Sequence, residues 1–241
     1  KLFENIVLNM AKPKIISGTS KFQIGAIPQH RAQEHLFVLK STINLFDYLN
    51  IGLIFQCWDI SKYFDKESLK DAMDSLHQSG IVGKLYRLWY ELNKSNTIQV
   101  LTGVGISKST DTGGNVAQGT LGSWLLSTLN LSTGVEAFFE GSPDEISYGD
   151  LRLGPLMFQD DLGRLCCLPH QAQSANNKIE AIMNLKQLQV NVDKSSFILM
   201  GPQMKVQEIR NFIAENPLLL NEKTVKESLP ENFQKSEYLL E

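Results

Sequence analysis

Two short apolar runs, each joined directly to aspartate, constrain this chain more than any other feature. LIFQCW at 53–58 is an apolar run of strand length with Asp59 immediately behind it. PLMFQDDLGRLCCL at 155–168 reads as two apolar strands flanking an acidic turn at Asp160 and Asp161. Runs this short suit strands, because a helix with comparable burial needs ten or more residues. The fold must bury these strands while keeping their acidic ends hydrated or paired, since a lone buried carboxylate is costly.

The remaining pattern is largely helical. Leu2, Phe3, Ile6, Val7 and Met10 predict an opening amphipathic helix, followed by a loop containing Pro13, Gly18, Gly25 and Pro28. Leu36, Leu39, Ile43 and Phe46 predict a second helix with one buried face. A third is expected over about 66–78, capped by Asp65, with Leu69, Met73 and Leu76 inward and Gly80 as its stop. A fourth carries Leu85, Leu88, Trp89 and Leu92. TIQVL at 97–101 reads as a strand, and the glycine-rich stretch 112–122 leads into a helix starting near Leu121. Another helix is expected over 172–188 with Ile179, Ile182 and Met183 inward, then a strand at SFILM, 196–200, stopped by Gly201 and Pro202. Strands and helices mix without a regular βαβ repeat, which predicts an α+β fold with an antiparallel sheet covered by helices on one face. From Gln203 onward the chain is polar and interrupted by Pro217 and Pro230, and partial disorder is expected there. The opening pattern has neither a cap nor an initiator Met, so the sequence reads as cut from a longer one.

With 241 residues, 42% of them hydrophobic, the chain can bury a substantial core. Its net charge of -3 gives no general field for holding a polyanion. The front end is the exception: Lys1, Lys12, Lys14, Lys21 and Arg31 oppose only Glu4 there, so nucleic-acid contact is expected to favour it. Cys57, Cys166 and Cys167 match neither a disulfide framework nor a CxxC zinc site, which points to a reducing intracellular compartment, cytoplasm or nucleus. No apolar run approaches the ~20 residues needed to span a bilayer, so no membrane partner is expected.

Strand-end aspartates suit one chemistry in particular. Magnesium is held by one or two protein carboxylates plus phosphate oxygens and water, so a protein that uses it must offer aspartates from rigid strands with an open side. Two such sites brought together would serve a two-metal nucleotidyl transfer. Taken singly, each aspartate is as well explained by a cap or turn role.

The order of motifs carries more. DISKYFD, from Asp59, resembles the first metal-binding motif of reverse transcriptases, and FQDD, at 158–161, resembles their Y-A-D-D box. NVAQGTLGS lies between them and resembles the Gln-Gly motif that contacts template and incoming nucleotide. KLFENIV and FQIGAIPQHRAQEHLFVL are similar to the segments of non-LTR retrotransposon enzymes that lead from fingers to palm, and LQVNVDKSSFILMG to their Leu, Asn, Lys motif. The motifs stand in family order over nearly the whole chain.

The resemblance implies a polymerase palm plus a helical part of the fingers. Residues 1–52 would be partial fingers and the approach to the palm. The palm would span 53–202 with an interleaved fingers segment at about 80–118, and 203–241 would begin a thumb or form a partly disordered tail. Asp59 and Asp160 would bind two Mg2+ ions, or Mn2+, with Asp161 a further ligand or the residue that orients the site. Phe64 would lie beneath the incoming sugar and collide with a 2′ hydroxyl. Gln118 and Gly119 would approach nucleotide and template, and Gln159 and Tyr238 the primer or template. Lys194 is either the general acid that protonates pyrophosphate or a solvated lysine before a strand. Partners would be an RNA template, a DNA primer and deoxynucleoside triphosphates.

The sequence departs from the family pattern at several points. Phe158 and Gln159 stand where Tyr and Ala are usual, and Gly122 and Ser123 replace the common Ser-Pro pair. SEYLLE resembles the K-Y-L-G primer-grip segment only at Tyr238 and Leu239. Two other readings remain: an inactive or domesticated remnant acting as a binding module, and a viral RNA-dependent RNA polymerase. Phe64 and the Gln118-Gly119 pair argue against the second.

Overall fold

The computed structural model describes residues 2–94, 97–111, 114–116, 122–140, 142, 145–149 and 151–228. Along them run α1 (Leu2–Gly18), α2 (Ala32–Tyr48), β1 (Leu53–Trp58), α3 (Tyr63–Lys66), α4 (Leu69–Gln78) and α5 (Gly83–Asn93). Four two-residue strands follow: β2 (Thr97–Ile98), β3 (Leu101–Thr102), β4 (Gly105–Ile106) and β5 (Thr110–Asp111). Then come α6 (Ser123–Phe139), β6 (Ile146–Tyr148), β7 (Leu151–Leu153), β8 (Leu156–Phe158), β9 (Asp161–Cys166) and α7 (Pro169–Leu185). The last elements are β10 (Ser196–Met200), α8 (Gln203–Glu215), β11 (Leu219–Leu220), β12 (Lys223–Thr224) and β13 (Lys226–Glu227).

The expected α+β class is what forms. A five-stranded sheet in the order β13-β10-β1-β9-β8 places β1 at its centre, antiparallel to both β9 and β10. LIFQCW takes this position because Ile54 and Trp58 can be buried on one face while Leu53 and Phe55 pack on the other. α6, α7 and α8 supply Leu131, Val135, Ile179, Ile182 and Ile213 to the larger core. On the opposite face Phe46 of α2 meets Leu53 and Leu165, so this helix covers part of the sheet's second side. A separate core joins α1, α4, α5 and the start of α6 through Ala11, Ile15, Met73, Leu76, Trp89 and Leu126.

Polar groups tie the central strand to its helices. Gln56 Nε2 donates to Asn176 Oδ1 at 2.8 Å and to the Ala172 carbonyl at 3.1 Å, and Trp58 Nε1 donates to the same Asn176 oxygen at 2.9 Å. Asn176 Nδ2 donates in turn to the Leu219 carbonyl at 2.9 Å. A buried amide is tolerated here because its oxygen and nitrogen both find partners.

Several local expectations are corrected. The first helix runs on to Gly18 with Pro13 inside it, and its buried residues are Val7, Leu8, Ala11 and Ile15. Leu2, Phe3, Ile6 and Met10 are exposed, because the α4–α5–α6 core meets the other side of the helix. The expected helix at 66–78 is split. Glu67 turns inward with extended backbone, and Ser68 rather than Asp65 caps α4, accepting from the Asp71 N–H. TIQVL does not form one strand but contributes to two small hairpins, β2 with β5 and β3 with β4. Residues 203–227, expected to be partly disordered, form α8 and three short strands, of which β13 joins the main sheet parallel to β10.

Candidate active site

The sheet register sets the geometry of the aspartates. The last β1–β9 pair is Trp58 with Leu162, so Asp59 leaves the end of β1 next to the start of β9, and it lines one cleft with Asp161. On the other side of β9, Phe158 pairs with Asp161, leaving Gln159 and Asp160 as a two-residue hairpin turn. Gln159 has a φ of +58°, the left-handed region that such tight turns use at the first central residue. Asp160 therefore tips the turn and Asp161 begins the strand, one residue earlier than the expected two-carboxylate tip.

Asp59 is fixed through its backbone. Its N–H donates to Ser195 Oγ at 3.2 Å, and its carbonyl accepts from the Asn191 N–H at 2.8 Å. Ser195 Oγ also donates to the Asn191 carbonyl at 2.8 Å. One residue further, Ile60 bridges Val190, and the Ser61 N–H donates to the Gln189 carbonyl at 2.8 Å. The segment 189–195, part of the motif expected to matter only for Lys194, thus serves as the seat of Asp59.

The carboxylates influence one another. Burial, then the charges of Asp160 and Asp59, hold the Asp161 carboxyl above its ordinary range. Burial, then Asp161, pushes the Cys57 thiol up to about 11. Asp59 and Asp161 line a cleft of about 400 Å³ together with Cys57, Phe158, His35 and Lys194. Lys194 is exposed in the turn before β10. Among the described residues no group of three or more His, Cys, Asp or Glu side chains is placed to hold a metal ion. A hard-oxygen pair open to solvent on one side suits magnesium, which takes its remaining ligands from phosphates and water. Asp59 and Asp161 are hard oxygen donors of the kind such an ion takes.

Phe64 lies on α3, half-buried, with its ring edge-on to that of Tyr63 at 5.5 Å between centroids. Tyr63 is buried, and its hydroxyl lies 3.0 Å from Glu67 Oε1 and 2.9 Å from the Ser127 carbonyl. Glu67 also accepts from the Ser127 hydroxyl and from Asn130 Nδ2, the latter at 2.8 Å. Burial raises the Glu67 carboxyl above 4.5 despite these hydrogen bonds. This buried network joins the turn carrying Phe64 to α6.

Gln118, Gly119 and Tyr238 lie outside the described residues. Sequence reasoning missed Gln23, Ser195, Glu67 and the cleft position of His35. A lone polar residue in a loop or helix carries no pattern that would have singled it out.

No protein-family model matches the chain, and no curated protein does. Solved structures do. An apo telomerase from Candida tropicalis matches with a TM-score of 0.61 at 12% identity, over 83% of this chain and 37% of that one. A telomerase from Candida albicans, solved with a TWJ fragment of telomeric RNA, matches with a TM-score of 0.59 at 12% identity, over 80% of this chain and 34% of that one. The same enzyme from Candida tropicalis, truncated from its C-terminal domain, gives a TM-score of 0.59 at 13% identity, over 81% and 40%. The chain spans two fifths or less of these telomerases and shares their fold over that part.

Proposed function

We propose that this chain is the palm, with part of the fingers, of an RNA-directed DNA polymerase of the non-LTR retrotransposon kind. The observation that carries the reading is the convergence of Asp59 and the Asp160–Asp161 turn at neighbouring strand ends, within a fold shared with telomerases. In this reading 1–52 belongs to the fingers and the approach to the palm. Residues 53–202 are the palm with a fingers insertion at about 80–118, and 203–241 lead toward a thumb. The working partners are an RNA template, a DNA primer and deoxynucleoside triphosphates, in the cytoplasm or nucleus. Among the described residues, no helix is long and apolar enough to cross a membrane.

Asp59 and Asp160 would hold Mg2+ or Mn2+, with Asp161 in support. When bound, such ions neutralise the charge that develops as a primer 3′ oxygen displaces pyrophosphate. The chain's own part is to hold these carboxylates on strand ends and to select the sugar. Phe64 excludes a 2′ hydroxyl by collision. Gln118 and Gly119 approach the template and nucleotide, Gln159 and Tyr238 the primer side. Lys194, exposed at the rim of the cleft, can supply a proton to the leaving pyrophosphate.

A primer-extension assay on an RNA template tests this. Deoxynucleotide addition should vanish in Asp59→Asn and Asp160→Asn, and ribonucleotide addition should rise in Phe64→Val. Equal use of both sugars by the unaltered chain would sink the assignment. A second reading, an inactive copy retained as a nucleic-acid or protein binding module, is favoured by the net charge of -3 and by Gln159 in the acidic turn. Template binding with no extension under any divalent ion would select it.

A further inference from the structure

Apart from the sheet itself, the closest hold on the acidic turn comes from a residue 136 positions earlier in the chain. Gln23 is 2% exposed, and its carboxamide grips the Gln159 peptide on both sides. The Gln159 N–H donates to Gln23 Oε1 at 2.9 Å, and Gln23 Nε2 donates to the Gln159 carbonyl at 2.9 Å. The same Oε1 accepts from the Gly25 N–H at 2.9 Å. This pattern fixes the amide orientation, because the reversed group would set donor against donor. The surrounding segment forms a strap along the β8 edge of the sheet. The Ile24 N–H donates to the Met157 carbonyl at 3.0 Å, and the Met157 N–H to the Phe22 carbonyl at 3.2 Å. At Gly25 the approach is close enough that a Cβ would stand 2.2 Å from the Gln159 nitrogen.

We propose that Gln23 is the positioning residue of the acidic turn, clamping the Gln159 peptide so that Asp160 and Asp161 present their carboxylates beside Asp59. Gln159 occupies a left-handed conformation that a residue with a side chain adopts at a cost, so the turn needs an external hold to stay in one state. Gln23 supplies it without touching any reacting group. The proposal rests on the reading of these aspartates as divalent-cation ligands.

The test uses the whole 241-residue chain and two readouts: amide hydrogen exchange over the β8–β9 hairpin, and Mn2+ binding followed by electron paramagnetic resonance. Gln23→Met keeps the side-chain length and removes all three hydrogen bonds. It should speed exchange at Gln159 at least about tenfold while β1 and β10 exchange as before, and weaken Mn2+ binding about tenfold. Gln23→Asn keeps the amide but shortens its reach, and should show an intermediate loss. It also carries the test should Gln23→Met fail to fold. Unchanged exchange and Mn2+ binding in the folded variants would overturn the proposal, as would a uniform rise in exchange across the whole sheet. Should the unaltered chain bind no Mn2+, the reading of the aspartates fails, and the exchange comparison alone then decides the role of Gln23.

Discussion

Asp59 keeps its carboxylate toward the cleft while its peptide groups are bonded on both sides by the 191–195 turn. Ser195, 2% exposed, is the hinge of that arrangement, because its hydroxyl accepts from Asp59 and donates to Asn191. Ser195→Ala should cost about 1 kcal/mol of unfolding free energy by leaving the Asp59 N–H without its acceptor. Denaturant titration would measure it, and a neutral result would show that water replaces the hydroxyl. The aspartates themselves should behave oppositely. Three carboxylates near one another repel, so Asp160→Asn should leave the melting temperature unchanged or raise it in metal-free buffer, while abolishing any rise on adding Mn2+. A clear fall in metal-free stability would mean that Asp160 is held by a structural partner rather than set aside for a ligand.

At the scale of elements, β1 is pinned to α7 by one amide. Asn176 is fully buried and serves Gln56, Trp58 and the Leu219 carbonyl at once. Asn176→Leu preserves volume but strands the Trp58 indole N–H, while the Leu219 carbonyl keeps Gln173 Nε2 at 3.0 Å, so a loss of about 1–3 kcal/mol is expected. A shift in urea midpoint with an unchanged slope would report it. Element positions were legible where a local pattern was strong: LIFQCW and SFILM form strands over the expected residues. Buried faces were less legible. Leu2, Phe3, Ile6 and Met10 make as good an apolar stripe as Val7, Ala11 and Ile15, and only the neighbouring helices select between them. The break at Glu67 was equally hidden, since it exists to bring that carboxylate to Tyr63, Ser127 and Asn130.

Across the whole molecule, that buried carboxylate couples folding to pH. Burial raises Glu67 above 4.5, with the hydrogen bonds and the Lys186 charge opposing, and Lys186 itself is lowered by burial. A carboxyl raised in the folded state binds its proton more tightly there than in the unfolded chain. Its contribution is therefore complete below 4.5 and is lost as pH rises through the raised folded value. Glu67→Gln removes this loss, so its melting temperature should gain on that of the unaltered chain as pH rises above 4.5 through the raised folded value. Parallel curves would show that the network absorbs the charge. The acidic site was half legible in the same sense. Sequence alone determined the strands β1 and β10 and the hairpin of β8 and β9, and that Asp59, Asp160 and Asp161 stand at their ends or turn, because strand runs and tight turns are encoded within a few consecutive residues. Only the tertiary structure decided that Asp59 and Asp161 line one cleft, that Asn176 meets Trp58 across 118 positions, and that Gln23 reaches Gln159 across 136. Those pairings follow from how helices and sheet pack together, and a contact between distant segments leaves no periodic trace in either one.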